Sequence, residues 1–296
     1  MGTIIKTTAI FNDDSINSSI ESAAMAAKEC IKKAEIDMQE IDLLLNVGVY
    51  RDNNMVEPAM AALIQKEIGI NPDYIETPVE RAAFSCDLMN GGCGFMNAIH
   101  VSDALLKIKK IKYALIVSSN THPSQKKVED FPFNNYGSAM ILEYVEDDKR
   151  GFQDFKFRTS SDGYLGKKAY LDLTEPGGDG RQRMTIEFEK DYPNKILNFT
   201  LETMKEFIKE NNVKMEKTKV LTSQKYDNFN DEIVKAMEIP NNASENLFST
   251  YGDVHSCAPV FGYQEAIKND LEKNYDSILF SVSGSGLTCG CALYNI

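Results

Sequence analysis

The chain has 296 residues, of which 43% are hydrophobic and 26% are charged, and its net charge is −12. This length and apolar content allow a large core, in one unit or in two fused halves, while the acidic balance argues against a nucleic-acid partner. No apolar run reaches the roughly 18 residues of a membrane span, and the start of the chain lacks the pattern of a signal peptide. Six irregularly spaced cysteines are typical of reduced thiols. Together these features predict a cytoplasmic protein that does not enter a membrane.

The first half of the chain alternates between helical and strand patterns. An amphipathic helix is predicted over residues 15–34, with alanines suited to close packing, and a buried strand over residues 41–49. An apolar helix over residues 95–106 is followed by strands at 113–117 and 138–144. Continuous apolar strands that alternate with helices indicate mostly parallel sheets covered on both faces.

The second half repeats this order, so that helix, strand, connection and strand close each half. Its predicted helices cover residues 193–210, 228–237 and 260–272, and its strands cover 218–222, 277–282 and 287–294. Such self-similarity predicts two related halves, residues 1–148 and 149–296, that form one compact unit. The least regular segment, 149–183, is either an insertion that shapes a pocket or a surface loop.

The most informative motif is Asp-Leu-Met-Asn-Gly-Gly-Cys-Gly-Phe at residues 87–95. It is typical of the end of a buried strand that turns sharply through small residues into an apolar helix. A helix N-terminus collects unpaired N–H donors and partial positive charge, so a thiol placed there tends toward the thiolate. Cys93 is therefore a candidate nucleophile.

This motif resembles the nucleophile turn of the ketoacyl-ACP synthase III branch of the thiolase-like condensing enzymes. Their pattern is Asp, a hydrophobic residue, two small or polar residues, Ala, Cys, a small residue, Gly and Phe. The catalytic cysteine's position falls on Gly92, one residue before Cys93. The resemblance implies an α/β thiolase-like fold, in which two pseudo-repeated βαβαβ-type halves form a layered α-β-α-β-α sandwich. The matching residues are Asp87, Asn90, Gly94 and Phe95.

The family's other two catalytic positions are also changed. The family's His-Gln-Ala-Asn turn is Ser-Gln-Lys-Tyr here, so Ser223 takes the histidine position while Gln224 is kept. The family's Gly-Asn-Thr-Ser-Ala run is Gly-Asp-Val-His-Ser here, which puts Asp253 at the asparagine position. Relatives that transfer acyl groups to oxygen or nitrogen carry Asp there, where it suits a base for an alcohol or amine. With Gly92, Ser223 and Asp253, the family's ordinary Cys–His–Asn condensation is not expected.

A relocated catalytic set is one interpretation of the remaining residues. Cys93 follows the lost nucleophile, and His255 lies two residues after Asp253, so these three could act together. One residue along a helix rotates a side chain by about 100°, so this set requires a remodelled turn at the glycine pair before Cys93. The alternative is a structural Cys93 and a core or surface His255. The resemblance implies that the acyl site is lined by Phe95, Gln224, Gly284, Ser285 and Gly286.

The resemblance implies a transferase that handles an acyl thioester, carried by acyl carrier protein or coenzyme A, in fatty-acid, polyketide or secondary-metabolite biosynthesis. An atypical acyltransferase is the favoured interpretation. The alternatives are a non-catalytic subunit that pairs with an active homologous synthase, and a binding module that keeps the acyl tunnel. A homodimer or a heterodimer is expected, without a metal or cofactor. The chain contains no Trp, which counts against the family's manner of clamping coenzyme A.

Overall fold

Two mixed β-sheets form the framework of the protein, in a computed structural model that describes residues 2–71, 75, 82–124, 131–162, 166–171, 184–240 and 242–296. The strands are β1 Gly2–Phe11, β2 Ile41–Asn46, β3 Phe84–Asp87, β4 Tyr113–Ser119, β5 Gly137–Val145, β6 Gly151–Thr159, β7 Lys167–Leu171, β8 Met184–Phe188, β9 Thr218–Thr222, β10 Ser277–Gly284 and β11 Thr288–Asn295. The helices are α1 Ser19–Ala34, α2 Met60–Ile68, α3 Gly94–Lys107, α4 Tyr192–Asn211, α5 Phe229–Ala236, α6 Phe248–Tyr251, α7 Ala258–Lys268 and α8 Leu271–Asn274.

The two sheets follow one plan. The first has the strand order β1-β5-β4-β2-β3 and the second β6-β11-β10-β9, while β7 and β8 form a separate two-stranded sheet. In each large sheet the second strand in this order, β5 or β11, is antiparallel to both of its neighbours. The third and fourth strands, β4 and β2 or β10 and β9, are parallel to each other. The predicted self-similarity is therefore visible as matching strand order. The expectation of mostly parallel sheets is wrong, because β5 and β11 each run antiparallel to both of their neighbours.

Five layers stack in the order that the resemblance implies. Helices α1 and α2 cover the outer face of the first sheet, and α4 covers the outer face of the second, with α5 packed against α4. Helices α3 and α7 lie between the sheets, because each contacts strands of both. Strand β4 is buried along its whole length, as expected of a strand covered on both faces. The α-β-α-β-α sandwich is thus confirmed.

Helix α1 begins at Ser19, four residues later than the amphipathic pattern over residues 15–34 predicts. The Oγ atom of Ser18 accepts a hydrogen bond from the Glu21 amide at 3.0 Å, so Ser18 is the N-cap. The Asp52 carboxylate accepts a further hydrogen bond from the Ser19 amide at 2.5 Å. This second cap comes from a loop after β2, and local sequence does not reveal it.

Strand β3, which leads into the glycine turn, is an edge strand and not the buried strand that the motif predicts. It pairs only with β2 among the described strands, and the Phe84 side chain is 66% exposed. Strands β1 and β6 and helix α2 were not expected at all. Part of the irregular segment 149–183 lies outside the described residues.

Asp87 fixes the point where the chain leaves β3 for the glycine turn. Its carboxylate accepts hydrogen bonds from Asn46 Nδ2 at 3.0 Å and from the amides of Met60 at 2.9 Å and Ala61 at 2.8 Å. It also pairs with Arg51 Nη2 at 2.6 Å. A carboxylate at the N-terminus of α2 satisfies two free amides and complements the helix dipole. The end of β3 is thereby tied to β2, to the loop after β2 and to α2.

No helix in the described ranges is both long and apolar enough to cross a membrane.

Candidate functional site

Two glycine-containing turns meet between the sheets, one before α3 and one between β10 and β11. Gly91 has a φ of +51°, and a Cβ atom built there would lie 3.2 Å from the Ser285 amide nitrogen. A Cβ atom at Gly284 would lie 2.7 Å from the Asn90 carbonyl oxygen. Side chains at these positions would push the turns apart. The structure therefore brings the Asn-Gly-Gly-Cys motif and the Gly284–Gly286 turn together.

Gly92, at the position of the family's nucleophile, has no room for a side chain. A Cβ atom built there would lie 2.5 Å from the Ser283 carbonyl oxygen and 2.8 Å from Lys225 Nζ. The Ser283 carbonyl is a backbone group in strand β10, so it cannot move aside without distorting the strand. The position is therefore closed by strand β10 and by a lysine amine.

Cys93 lies in the core behind the turn. It is 1% exposed, and its Sγ atom lies 3.1 Å from the position of a Cβ atom at Gly290. Burial, aided by the neighbouring Cys289, raises the pKa of the Cys93 thiol to about 12. Desolvation therefore opposes the effect of the helix N-terminus and disfavours the thiolate form of Cys93.

The Cys93–His255–Asp253 set stays a prediction. Within the described ranges, no hydrogen bond joins the Cys93 thiol to either partner. Asp253 and His255 do lie together, because Asp253 Oδ1 accepts a hydrogen bond from the His255 amide at 2.7 Å. Two of the three residues are thus adjacent, while the third is held in the core.

Ser223 and Gln224 connect the turn after β9 to its surroundings. Ser223 Oγ accepts a hydrogen bond from the Ser283 amide at 2.9 Å, and the Ser223 amide donates to the Ser281 carbonyl at 3.0 Å. Gln224 Oε1 accepts from the Leu247 amide at 3.1 Å. Ser223, which the resemblance places at the histidine position, therefore links the end of β9 to β10 by two hydrogen bonds.

Phe95, which was predicted to line the acyl site, has no exposed surface and belongs to the central hydrophobic cluster. The Phe95 ring is surrounded by core side chains of that cluster, so its contacts are packing contacts. The glycine turn at 284–286 differs, because it directly faces the turn that precedes α3.

Lys225 is the residue whose amine occupies the space beside Gly92. Its Nζ atom forms no hydrogen bond and no ion pair with any described residue. Burial lowers the pKa of Lys225, while the charge of Asp253 and the neighbouring Cys93 oppose that shift. Lys225 is half-buried, and a lysine whose pKa is lowered has a larger neutral, nucleophilic fraction than an ordinary one.

A second lysine, Lys167 on β7, lies in the same electrostatic environment. Its Nζ atom is 3.9 Å from the centroid of the Phe133 ring. Burial lowers the pKa of Lys167 to about 7; Asp253 opposes the shift and the positive charge of Lys225 adds to it. Two amines and one carboxylate therefore interact here, and neither amine forms an ion pair with Asp253 in the described part of the chain.

The Asp253 carboxyl is held in a protein environment that disfavours its charge. Burial raises the pKa of Asp253, and the positive charges of Lys225 and Lys167 partly offset this effect. Its loop is fastened to the end of β4, since Asn120 Nδ2 donates to the Val254 carbonyl at 2.6 Å. A buried carboxyl near two amines can both donate and accept a proton.

His255 is buried beside this carboxyl in a left-handed backbone conformation, with a φ of +45°. Its ring packs against Phe133 at 4.5 Å and against Tyr50 at 5.8 Å between centroids. Its Nδ1 atom has no hydrogen-bond partner. Burial and the two lysine charges hold the pKa of His255 well below its ordinary value, so the imidazole is neutral.

Sequence reasoning missed the two lysines and the tyrosines beside Asp253. Burial, followed by the charge of Asp253, raises the pKa of Tyr50, and the same two causes raise that of Tyr192, so both phenols stay protonated. Lys225 carried a detectable signal, because it directly follows the retained Gln224 at a position where the family has alanine. Lys167 carried none, since it lies in the segment without a regular pattern. No cluster of metal-ligating side chains occurs in the described ranges.

Restoring the family's cysteine by Gly92→Cys is expected to lower stability without creating a reactive thiol. The new Cβ atom would collide with the Ser283 carbonyl, and overpacking of this kind costs about 1–3 kcal/mol. Urea unfolding and the rate of iodoacetamide labelling measure the two effects. Gly92→Ala is the matched control, since it adds the same Cβ atom without sulfur. A Gly92→Cys protein as stable as the parent and rapidly alkylated would contradict the closed position.

Lys167→Met is expected to be more stable than the parent at about pH 6, on the order of 2 kcal/mol. The folded-state pKa of Lys167, about 7, lies below its unfolded value of 10.5. Between these values the unfolded parent binds more protons, so parent stability rises with pH and the advantage of the variant shrinks. Urea unfolding across this range tests the trend. Lys168→Met, at an exposed neighbour, should show no such pH-dependent difference.

Comparison with known proteins places this geometry in a wider context. No family model matches the chain. The β-ketoacyl-ACP synthase III of Aliarcobacter butzleri is 26% identical over 307 residues, which cover 98% of this chain and 86% of that protein. The synthase III of Natranaerobius thermophilus is 22% identical over 287 residues, which cover 92% and 82%.

Solved structures extend the similarity to the whole fold. The 3-oxoacyl-ACP synthase III of Aquifex aeolicus superposes with a TM-score of 0.78 at 18% identity, over 100% of both chains. Xanthomonas campestris OleA superposes with a TM-score of 0.81 at 16% identity, over 100% of this chain and 99% of that one. The chain therefore has the thiolase-like fold, and its resemblance to the ketoacyl-ACP synthase III proteins, predicted from the glycine turn, is confirmed.

Proposed function

We propose that the protein is an atypical acyltransferase that handles acyl thioesters on a ketoacyl-ACP synthase III-like scaffold without a cysteine nucleophile. The observation that carries this proposal is the closed position at Gly92, where the Ser283 carbonyl and the Lys225 amine fill the nucleophile's space. Glycine cannot form an acyl-enzyme. Asp253 remains buried at the same site, where a carboxyl of raised pKa can act as a base toward an alcohol or amine acceptor.

Similarity to named relatives supports the thioester part of the proposal. The curated relatives are named for acyl carrier protein, and one OleA structure is described with bound lauric acid and lauroyl-CoA. A carrier protein or coenzyme A is therefore the donor that we propose here, in fatty-acid, polyketide or secondary-metabolite biosynthesis. The acyl group would pass directly from the thioester to its acceptor.

The relocated set of Cys93, His255 and Asp253 is the competing version of the same proposal. A thiol of pKa about 12 is ionised to about one part in 10⁵ at pH 7. His255 would have to take its proton, yet the buried imidazole is strongly disfavoured in the charged form. Direct transfer assisted by Asp253 requires neither step, so we favour it.

Acyl thioesters offered with small alcohols and amines are expected to release free thiol without acylating Cys93. Loss of the Asp253 base in Asp253→Asn should reduce thiol release by about 10²-fold. Intact mass measures acylation, and a colorimetric thiol assay measures release. Cys93→Ala is the control and should behave as the parent. An acyl mass increment that disappears in Cys93→Ala would instead place the nucleophile at Cys93.

A non-catalytic subunit is the second candidate, because all three family positions lack their catalytic side chains and an unpaired sheet edge is available. Strand β3 has no partner on its outer side among the described strands, and Phe84 on it is 66% exposed. Exposed edge strands readily pair with another chain. We propose that β3 joins two thiolase-like chains, in a homodimer or in a heterodimer with a homologous synthase.

Phe84→Lys is expected to convert the dimer to monomer, because a charge on an edge strand opposes pairing. Sedimentation velocity of the protein, alone and mixed with a homologous synthase, measures the assembly. Phe188→Lys is the matched control, since Phe188 is 51% exposed on the separate two-stranded sheet. A parent that is monomeric in both conditions at tens of micromolar would rule out this interface. A heterodimer without thiol release would favour the non-catalytic subunit.

A further inference from the structure

Lys225 differs from Lys219, a fully buried lysine of the second half. Lys219 is 2% exposed, and its Nζ atom is satisfied by Glu245 Oε1 at 2.7 Å and by the Asn242 carbonyl at 3.0 Å. Lys225 Nζ forms no such bond to any described residue. The Lys225 side chain is half-buried, so its amine is neither satisfied by a carboxylate, as that of Lys219 is, nor sealed in the core. The unpaired amine of Lys225 is therefore available to a ligand.

The groups around the amine are suited to carbonyl chemistry. The amine lies beside Gly92, 2.8 Å from the position that a Cβ atom would take there, and the Lys225 side chain is half-buried. Asp253 supplies a carboxyl that can exchange a proton, and Lys167 adds a second positive charge. His255 adds a buried Nδ1 atom without a partner. A desolvated lysine next to another cationic group is a known arrangement for activating an amine toward a carbonyl carbon.

We propose that Lys225 forms a Schiff base with the ketone of a 3-oxoacyl thioester. The inference rests on the proposed function, because the thioester is what the scaffold would bind. We assign the reaction to the ketone carbonyl, because an amine and a ketone condense reversibly to an imine. Attack on the thioester carbonyl would instead leave Lys225 as a stable amide and end turnover.

The step balances with groups that are present. The neutral Lys225 amine attacks the ketone carbon, the C=O π bond opens, and a proton moves from nitrogen to oxygen to give a carbinolamine. The Asp253 carboxyl then donates its proton to the hydroxyl group, water leaves, and a C=N bond forms. The products are one water, a protonated imine and the Asp253 carboxylate. No oxidant, reductant or metal is required, and the opposite charges of imine and carboxylate favour the product.

Borohydride trapping tests the inference. The protein is incubated with acetoacetyl-CoA, with and without sodium cyanoborohydride, and analysed by intact mass and peptide mapping. The expected result is a reductant-dependent adduct on the peptide that contains Lys225. Butyryl-CoA, which has the thioester but no ketone, should give none. Lys225→Met should lose the adduct at least tenfold, and Lys168→Met should keep it.

Lys225→Arg separates chemistry from folding, because it keeps the positive charge but cannot form an imine. This variant should retain the parent's shift in melting temperature with butyryl-CoA and should lose the adduct. An adduct that persists in Lys225→Arg, one that forms without reductant, or none despite a melting shift with acetoacetyl-CoA would overturn the Schiff base while leaving thioester binding intact. The absence of any melting shift with either thioester would overturn the proposed function, and this inference with it.

Discussion

The contact between the turn before α3 and the end of β10 is the constraint on which the site depends. Gly92 lies so close to the Ser283 carbonyl that no side chain fits, and Ser223 fastens the same strand to the turn after β9. Three segments are thereby drawn together at the positions where related enzymes hold their catalytic residues. A side chain at Gly92 would force these segments apart, so the glycine and the close approach of the segments depend on each other.

Desolvation shifts the pKa of each ionisable group at the site, and the direction depends on the sign of the group's charge. It raises the pKa values of Cys93 and Asp253 and lowers those of Lys225, Lys167 and His255. The thiol becomes less reactive as a result, whereas the amines become more nucleophilic. The same burial that argues against cysteine chemistry therefore favours amine chemistry at this position.

Much of the fold follows from the sequence, and much of the site does not. The periodic segments place most helices and strands of both large sheets, and the glycine motif predicts the layered sandwich, because these signals are local or family-specific. Strands β1 and β6 were missed because neither is a continuous apolar run: both are only partly buried along their length. Lys225 and Lys167 were missed for a related reason: a lysine in a sequence looks like surface, and only tertiary contacts show that its amine is enclosed.

The position of β1 has a consequence for synthesis of the chain. Among the described strands β1 pairs only with β5, in a register that joins Phe11 to Gly137 and Gly2 to Val145, so the edge of the first sheet cannot close until β5 is available. Loop closure over such a distance makes folding slow. On the ribosome, the first strand therefore emerges long before its partner and presents an unpaired edge during that interval. A pause in translation before β5 has left the ribosome would prolong this exposure.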